Sequence, residues 1–301
     1  MLSMSVVRKN ALAMAAACTL ILASTPASAQ EAAPSSDPNP GALTVTGAVD
    51  FLNQYMFRGI RQNSTGFVTW PAVDLGFAAY SGDGALKAVG INLGTWNSLH
   101  SGDTGKDGPS GKMWYESDFY ATVGFGFGGG TSFAATYTAY TSPNSGFTTV
   151  KEFMVKLGVD DSAYFGKAAV KPYLIVGQEF DTSPGVGQAD GGLSAGTYME
   201  LGIAPGYAAS KAAIAFPIKV GLSLSDYYEN PVTREDDKFG FFSLAGIVTV
   251  PLGGTTNFGS WNLHGGVEYQ RLGDTTAIFN SNDDGPKNNQ VIGSFGIGFS
   301  Y

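Results

Sequence analysis

The sequence predicts an all-β chain, a transmembrane antiparallel up-and-down β-barrel of about 12 strands. Three observations carry that expectation. From Leu43 onward, segments of alternating residues follow one another with little helical periodicity. Successive side chains of a strand point to opposite faces, and here one face is apolar while the other holds the charge. The connections alternate between short and long, as in barrels with tight turns at one rim and larger loops at the other.

Taken in order, the chain opens with a leader. Arg8 and Lys9 precede an apolar run from Ala11 to Ala23, and Ala27-Ser28-Ala29 offers a small-x-small cleavage site. This reads as a secretory signal peptide over 1–29, too short to span a membrane as a helix. Residues 30–42, with Pro34, Pro38 and Pro40, read as a flexible periplasmic leader, leaving the barrel at 43–301. Cys18 is the only cysteine and falls within the signal segment, so the mature chain is expected to hold no disulfide or thiolate metal site. Cleavage would remove two of the 17 basic residues and none of the 25 acidic ones, so the net charge of −8 would become −10. An acidic chain without basic clusters argues against nucleic acid as a partner.

The 12 strands are expected at about 43–57, 67–80, 85–97, 113–127, 131–141, 149–159, 167–181, 197–208, 213–225, 239–250, 261–271 and 290–301. Each meets the ~9–11 residues that a tilted membrane strand needs. The outward face runs through Phe51, Leu75, Leu93, Phe119, Tyr137, Phe153, Leu174, Leu201, Phe216 and Leu263, with the charges Lys87, Lys151 and Arg271 only at strand ends. A Lys or Arg at the bilayer midplane of a barrel costs about 2–4 kcal/mol and near the interface about 0–1, which accounts for that placement. The lumen-lining candidates on the opposite face are Asp50, Arg58, Asp74, Glu116, Asp118, Glu152, Lys156, Lys171, Glu179, Glu200, Lys219 and Glu268. A soluble barrel would invert the pattern. In the tenth strand Phe241 and Ile247 alternate with Phe242, Leu244 and Val248, so its register is ambiguous.

Short connections at 81–84, 128–130, 160–166, 210–211 and 251–260 oppose longer ones at 58–66, 98–112, 142–148, 182–196, 226–238 and 272–289. That alternation places both termini in the periplasm. No long inward-folding loop is evident.

The residues offer little to catalysis. His264 and His100 are each followed by glycine or by Ser-Gly rather than by the His-x-Ser spacing of barrel phospholipases, and Asn262 replaces the aspartate of a protease-type Asp-x-His pair. Glu116 and Asp118 share a face and could do acid–base work or hold a cation, but lining a wet lumen is the simpler role. Asp236-Asp237 and Asp283-Asp284 lack calcium-loop spacing, and Gly124-x-Gly126-x-Gly128 lies in a strand with no helix N-terminus to hold phosphate. No enzymatic activity, cofactor or metal is expected.

Two stretches resemble known families. Val291 to Tyr301, with Phe295, Ile297, Phe299 and Tyr301 on one face, resembles the closing strand of outer-membrane barrels, whose terminal aromatic residue is read by the barrel assembly machinery. The stretch Tyr55-x-Phe57-Arg58-Gly59, with the acidic strand Trp114-Tyr115-Glu116-Ser117-Asp118, resembles the TorF family of proteobacterial outer-membrane porins. Arg61 departs from the small polar residue usual there. The resemblance implies a barrel in the Gram-negative outer membrane and passage of solutes, with no agreed substrate. From the residues themselves, Arg58 ends the first strand and is expected to brace the first loop on Asp74 or another carboxylate, or alternatively to form a constriction. Eight inward acids against four bases would bias a polar lumen toward small cationic or neutral solutes. The rival expectation is a barrel filled by its own side chains, with Tyr120, Tyr140, Tyr173 and Tyr198 among the filling, that serves a structural or partner-binding role. A membrane-embedded hydrolase is the remaining alternative.

Overall fold

The computed structural model describes residues 41–102, 104, 111–180, 194–209, 211–253 and 259–301. The signal segment 1–29 and nearly all of the leader 30–42 lie outside the described residues, as do Ser210 and parts of the connections at 98–112, 182–196 and 251–260. The strands are β1 (Leu43–Leu52), β2 (Tyr55–Phe57), β3 (Ile60–Asn63), β4 (Val68–Ser81), β5 (Leu86–His100), β6 (Trp114–Phe127), β7 (Thr131–Thr141) and β8 (Val150–Val159). They continue as β9 (Tyr173–Phe180), β10 (Thr197–Ile203), β11 (Gly206–Ala208), β12 (Ala213–Ala215), β13 (Ile218–Ser225), β14 (Phe239–Pro251), β15 (Ser260–Leu272) and β16 (Asn289–Ser300).

These make a closed, antiparallel barrel of 12 staves. Going round, β1 pairs with β4, and pairing passes stepwise to β10, then through β13, β14, β15 and β16 back to β1. Two staves are each broken once by proline. Pro205 separates β10 from β11, and Pro217 separates β12 from β13. Proline has no N–H to give the ladder, yet its carbonyl still accepts: Phe216 donates to Pro205 and Ala245 to Pro217. The seam between first and last staves is tight. Val45 and Tyr301 exchange both backbone hydrogen bonds, and Phe51 stacks on Phe295 with centroids 5.1 Å apart.

The outer surface is a belt of exposed apolar side chains that includes Leu75, Leu93, Phe119, Phe153, Leu201, Phe216, Leu263 and Phe295. Soluble proteins seldom leave so continuous an apolar surface in water, whereas a bilayer demands it. Among the described residues no helix is long and apolar enough to cross a membrane. The barrel crosses with its strands.

Several boundaries differ from expectation. The first strand does not reach Phe57; it ends at Leu52, and β2 pairs with β3 in a separate hairpin. The seventh does not begin at 167: a short helix, Ser162–Phe165, and a tight turn at 166–168 fill that connection, and β9 starts at Tyr173. Lys171 is therefore in the turn rather than in a strand, with a left-handed φ of 50° and its backbone N–H on Asp161. The tenth-strand ambiguity resolves with Leu244 and Val248 exposed and Phe241 and Ile247 buried inside.

The belt yields a direct test. Leu93 sits mid-strand in β5 and is 46% exposed. Leu93→Arg is expected to lower stability in lipid vesicles by about 2–4 kcal/mol, read from urea unfolding, whereas Lys87→Arg at the strand end changes it by about 0–1.

Candidate functional site in the barrel lumen

The loop after β1 turns inward and fills part of the lumen. Asn53 anchors its departure: its side-chain amide donates to the Val291 carbonyl, and its Oδ1 accepts from the Gly293 N–H. Beyond it Tyr55, Met56 and Ile60 are buried with Trp70, Trp96, Tyr115, Tyr198, Tyr227, Tyr228 and Phe241, an apolar core inside the barrel wall. The hairpin turns at Arg58 and Gly59, with φ of 48° and 84°. Positive φ at both central residues is the two-residue turn that suits the twist of a hairpin. Glycine accepts this freely, and a Cβ on Gly59 would also meet the Phe241 ring at 3.0 Å. Arginine does so at a cost, which its side-chain contacts offset.

Those contacts make Arg58 the node of the lumen. Its two terminal nitrogens donate to the two carboxylate oxygens of Glu152 at 2.5 and 2.9 Å, and Nη1 also donates to the Tyr227 hydroxyl at 2.9 Å. The guanidinium lies 4.1 Å from the Tyr198 ring centroid. Glu152 is 0% exposed and accepts a further hydrogen bond from Tyr140. Burial is the largest single influence and works against the charge on Arg58, but Glu152, Tyr227 and Tyr140 together outweigh it and hold the guanidinium pKa above its ordinary value. Two other loops hold the turn from above. Tyr228 donates to the Arg58 carbonyl at 2.9 Å, and Asn280, at the end of the short helix Asp274–Phe279, donates to the Gly59 carbonyl at 2.8 Å. Arg58 thus braces the first loop, on Glu152 rather than on Asp74.

The remaining sequence candidates fall into separate groups. Asp50 Oδ1 lies 2.6 Å from His264 Nε2, with Asn262 Oδ1 at 2.9 Å from the other ring nitrogen; neither neighbour is an acyl-transfer nucleophile. Asp74 accepts from Asn92 at 2.5 Å. Glu116 and Asp118 are buried side by side, with Tyr55 close to Glu116. Lys156 lies over the Tyr173 ring at 4.8 Å. Glu179 accepts from the Gly196 N–H, and Glu200 from the hydroxyls of Tyr173 and Tyr198. Lys219 lies over Phe241 and feels Glu200 and Glu268, while Glu268 accepts from Ser243 and Gln270. Lys171, in its turn, sits beside Asp161, which accepts from its backbone N–H.

One contact escaped sequence reading. Ser98 Oγ lies 2.6 Å from His100 Nε2, while Thr104 occupies the other ring nitrogen and Tyr115 stacks on the ring. The serine precedes the histidine, so the His-x-Ser pattern does not find it. Both residues are fully buried, and among the described residues it is Thr104, not a carboxylate, that meets the other ring nitrogen.

Below the hairpin tip the lumen holds a cavity of about 70 Å³, lined by Arg58, Trp96, Asp118, Thr138, Tyr140, Glu200 and Lys219 among others. Of its lining residues, Phe57, Tyr120 and Lys219 are partly exposed.

Removing one partner of a buried ion pair costs about 3–5 kcal/mol because the other charge is left uncompensated. Glu152→Ala is therefore expected to release the hairpin rather than leave Arg58 buried. Limited trypsin digestion reads this as new cleavage after Arg58 or Arg61, at sites resistant in the wild type.

No family model matches the chain, and no curated protein matches it. The likeness to TorF-family porins accordingly rests on Tyr55–Gly59 and Trp114–Asp118 alone. Among solved structures, an outer-membrane channel from Pseudomonas putida F1 is similar at 13% identity, with 90% of this chain and 100% of that one covered and a TM-score of 0.44. The CymD monoaromatic hydrocarbon channel is similar at 10% identity, covering 87% and 89%, with a TM-score of 0.40. The NanC porin is similar at 11% identity, covering 86% and 99%, with a TM-score of 0.39.

Proposed function

We propose that this chain is an outer-membrane channel for small hydrophilic solutes, narrowed by the inward hairpin and selective for cations. The cavity below the hairpin carries the reading: Arg58, Asp118, Glu200 and Lys219 bring ionisable groups to it among aromatic and aliphatic neighbours, and several of its lining residues are partly exposed. The charge balance supports the cation preference. Asp50, Asp74, Glu116, Asp118, Glu152, Glu179, Glu200 and Glu268 face Arg58, Lys156 and Lys219, an imbalance that favours cations by direct electrostatics. With Lys171 in a turn, the excess of acid is larger than the sequence suggested. Short turns at the rim that carries the termini fit a periplasmic location for both ends, and the closing strand to Tyr301 fits handling by the assembly machinery.

A second reading, a closed barrel with a structural or partner-binding role, is favoured by the apolar core around Tyr55, Trp70, Tyr227 and Phe241, which occupies the long-loop half of the lumen. Planar-bilayer recordings separate the two. The channel reading expects a small conductance in the wild type, a reversal potential of cationic sign in asymmetric salt, and a several-fold larger conductance when residues 54–64 are deleted. Silence from both proteins supports the closed barrel, and an anionic reversal potential removes the cation preference.

A further inference from the structure

The connection between β8 and β9 reaches sideways along the short-turn rim. At one end Tyr164 comes so near the turn 128–130 that a Cβ on Gly129 would lie 3.3 Å from its hydroxyl. At the other, Lys167 Nζ lies 5.4 Å from the centroid of the Tyr207 ring in β11, within the range of a cation–π contact. Tyr207 fixes the side of the wall on which this happens. It pairs with Ile214 of β12, and Ile214 pairs with Val248 of β14, one of the exposed residues that face lipid. Residues paired across strands share a face, so the Lys167 ammonium stands on the outer surface of the barrel, at its rim. Tyr207 is 49% exposed, and Phe165 and Tyr164, two and three residues before Lys167, are 63% and 69% exposed.

Among the described residues Lys167 has no carboxylate partner. The two acids nearest to it in sequence are occupied within the turn itself. Asp160 accepts from the backbone N–H and hydroxyl of Ser162, and Asp161 from the backbone N–H groups of Val170 and Lys171. Lys211, exposed in the β11–β12 turn just beyond Tyr207, adds positive charge to the same rim. We propose that this outer corner binds the headgroup of an anionic phospholipid in the periplasmic leaflet. The inference rests on the periplasmic placement of the short-turn rim and is independent of whether the lumen conducts. The lipid phosphate would accept from the Lys167 ammonium, and the glycerol and first acyl carbons would lie against the rings of Tyr207 and Phe165. Two features select a lipid over a protein as partner. The corner continues the lipid-facing surface through Tyr207, Ile214 and Val248, so a bilayer already reaches it. Tyrosine rings and lysine stems also suit the headgroup depth, where one end of a side chain is wet and the other apolar. Charge then selects the class of lipid, because an ammonium without a carboxylate favours an anionic headgroup over a zwitterionic one that brings its own cation.

Native mass spectrometry of the detergent-folded barrel, titrated with phosphatidylglycerol or phosphatidylcholine of matched acyl chains, counts bound lipids directly. Phosphatidylglycerol is expected to fill its first site about fivefold more tightly than phosphatidylcholine, the factor that one lysine near an anionic lipid surface contributes. Lys167→Gln should remove most of that preference, and Lys167→Arg should keep it. Lys87→Gln is the control at the same rim, on β5, where the ammonium already donates to the Asp83 carbonyl; it should leave the preference intact. Equal affinity for the two lipids in the wild type, a preference that survives Lys167→Gln, or an equal loss in Lys87→Gln would overturn the proposal. Orientation is read separately. A Lys211→Cys chain should react with a membrane-impermeant maleimide only after the outer membrane is permeabilised. Labelling of intact cells would reverse the barrel and remove the periplasmic leaflet as the source of the lipid, whereas failure of the lipid titration removes the site in either orientation.

Discussion

In hydrocarbon an unpaired backbone N–H or C=O costs several kcal/mol, so β1 cannot remain an edge and must find β16. The exchange of hydrogen bonds between Val45 and Tyr301, and the register from Thr46 opposite Ser300 to Leu52 opposite Ser294, meet that demand. Closure then fixes the rest. Once the sheet is a ring, parity along each stave decides which side chains meet lipid and which meet one another, and a slip of one residue would turn every charge outward. The two proline breaks, at 205 and 217, fall in neighbouring staves close to the rim, where a missing donor interrupts the ladder least.

Inside the ring a second, water-soluble style of folding takes over. The hairpin β2–β3 packs aromatic and aliphatic side chains against Trp70, Trp96 and Phe241, as a core packs in a globular domain. The bidentate pair of Arg58 and Glu152 pins its tip. A buried ion pair gives little net stability, because desolvation of both charges consumes most of their attraction. Its effect is better described as positional. The guanidinium fork matches the carboxylate in one geometry, and Tyr140, Tyr227 and Tyr198 fix that geometry from three sides. Tyr228 and Asn280, from two other loops, meet the carbonyls of the same turn, so three loops converge on two residues.

Chemistry in the lumen is correspondingly uneven. Near the long-loop rim, polar groups are mostly satisfied: Glu152 by Arg58 and Tyr140, Glu179 by the Gly196 N–H, and His100 by Ser98 and Thr104. Beneath the hairpin tip, the ionisable groups of Asp118, Glu200 and Lys219 line the cavity together with aromatic rings. The hairpin that narrows the upper lumen also lines that cavity through Tyr55, Phe57 and Arg58. Narrowing the path and forming the pocket are consequences of the same inward turn.

Parity and charge placement were legible in the sequence because lipid imposes a one-residue rule: whatever points outward at mid-strand must be apolar, and Leu93, Phe119 and Leu201 obey it without reference to any neighbour. The inward turn was not legible. Residues 43–57 keep an extended, alternating pattern, and nothing local distinguishes a strand that continues up the wall from one that leaves it at Asn53 and folds back. The tenth strand was ambiguous for the same reason. Phe241 and Ile247 are apolar because they meet the hairpin, at Gly59 and beside Met56, while Leu244 and Val248 are apolar because they meet lipid. Sequence alone determined a barrel of 12 staves with an apolar outer face, since each of those properties is a sum of independent local choices. Only the tertiary structure decided that Arg58 meets Glu152, and that Tyr228 and Asn280 meet the carbonyls of the same turn. Those meetings depend on the register between staves and on the path of a loop across the barrel, which no residue specifies by itself.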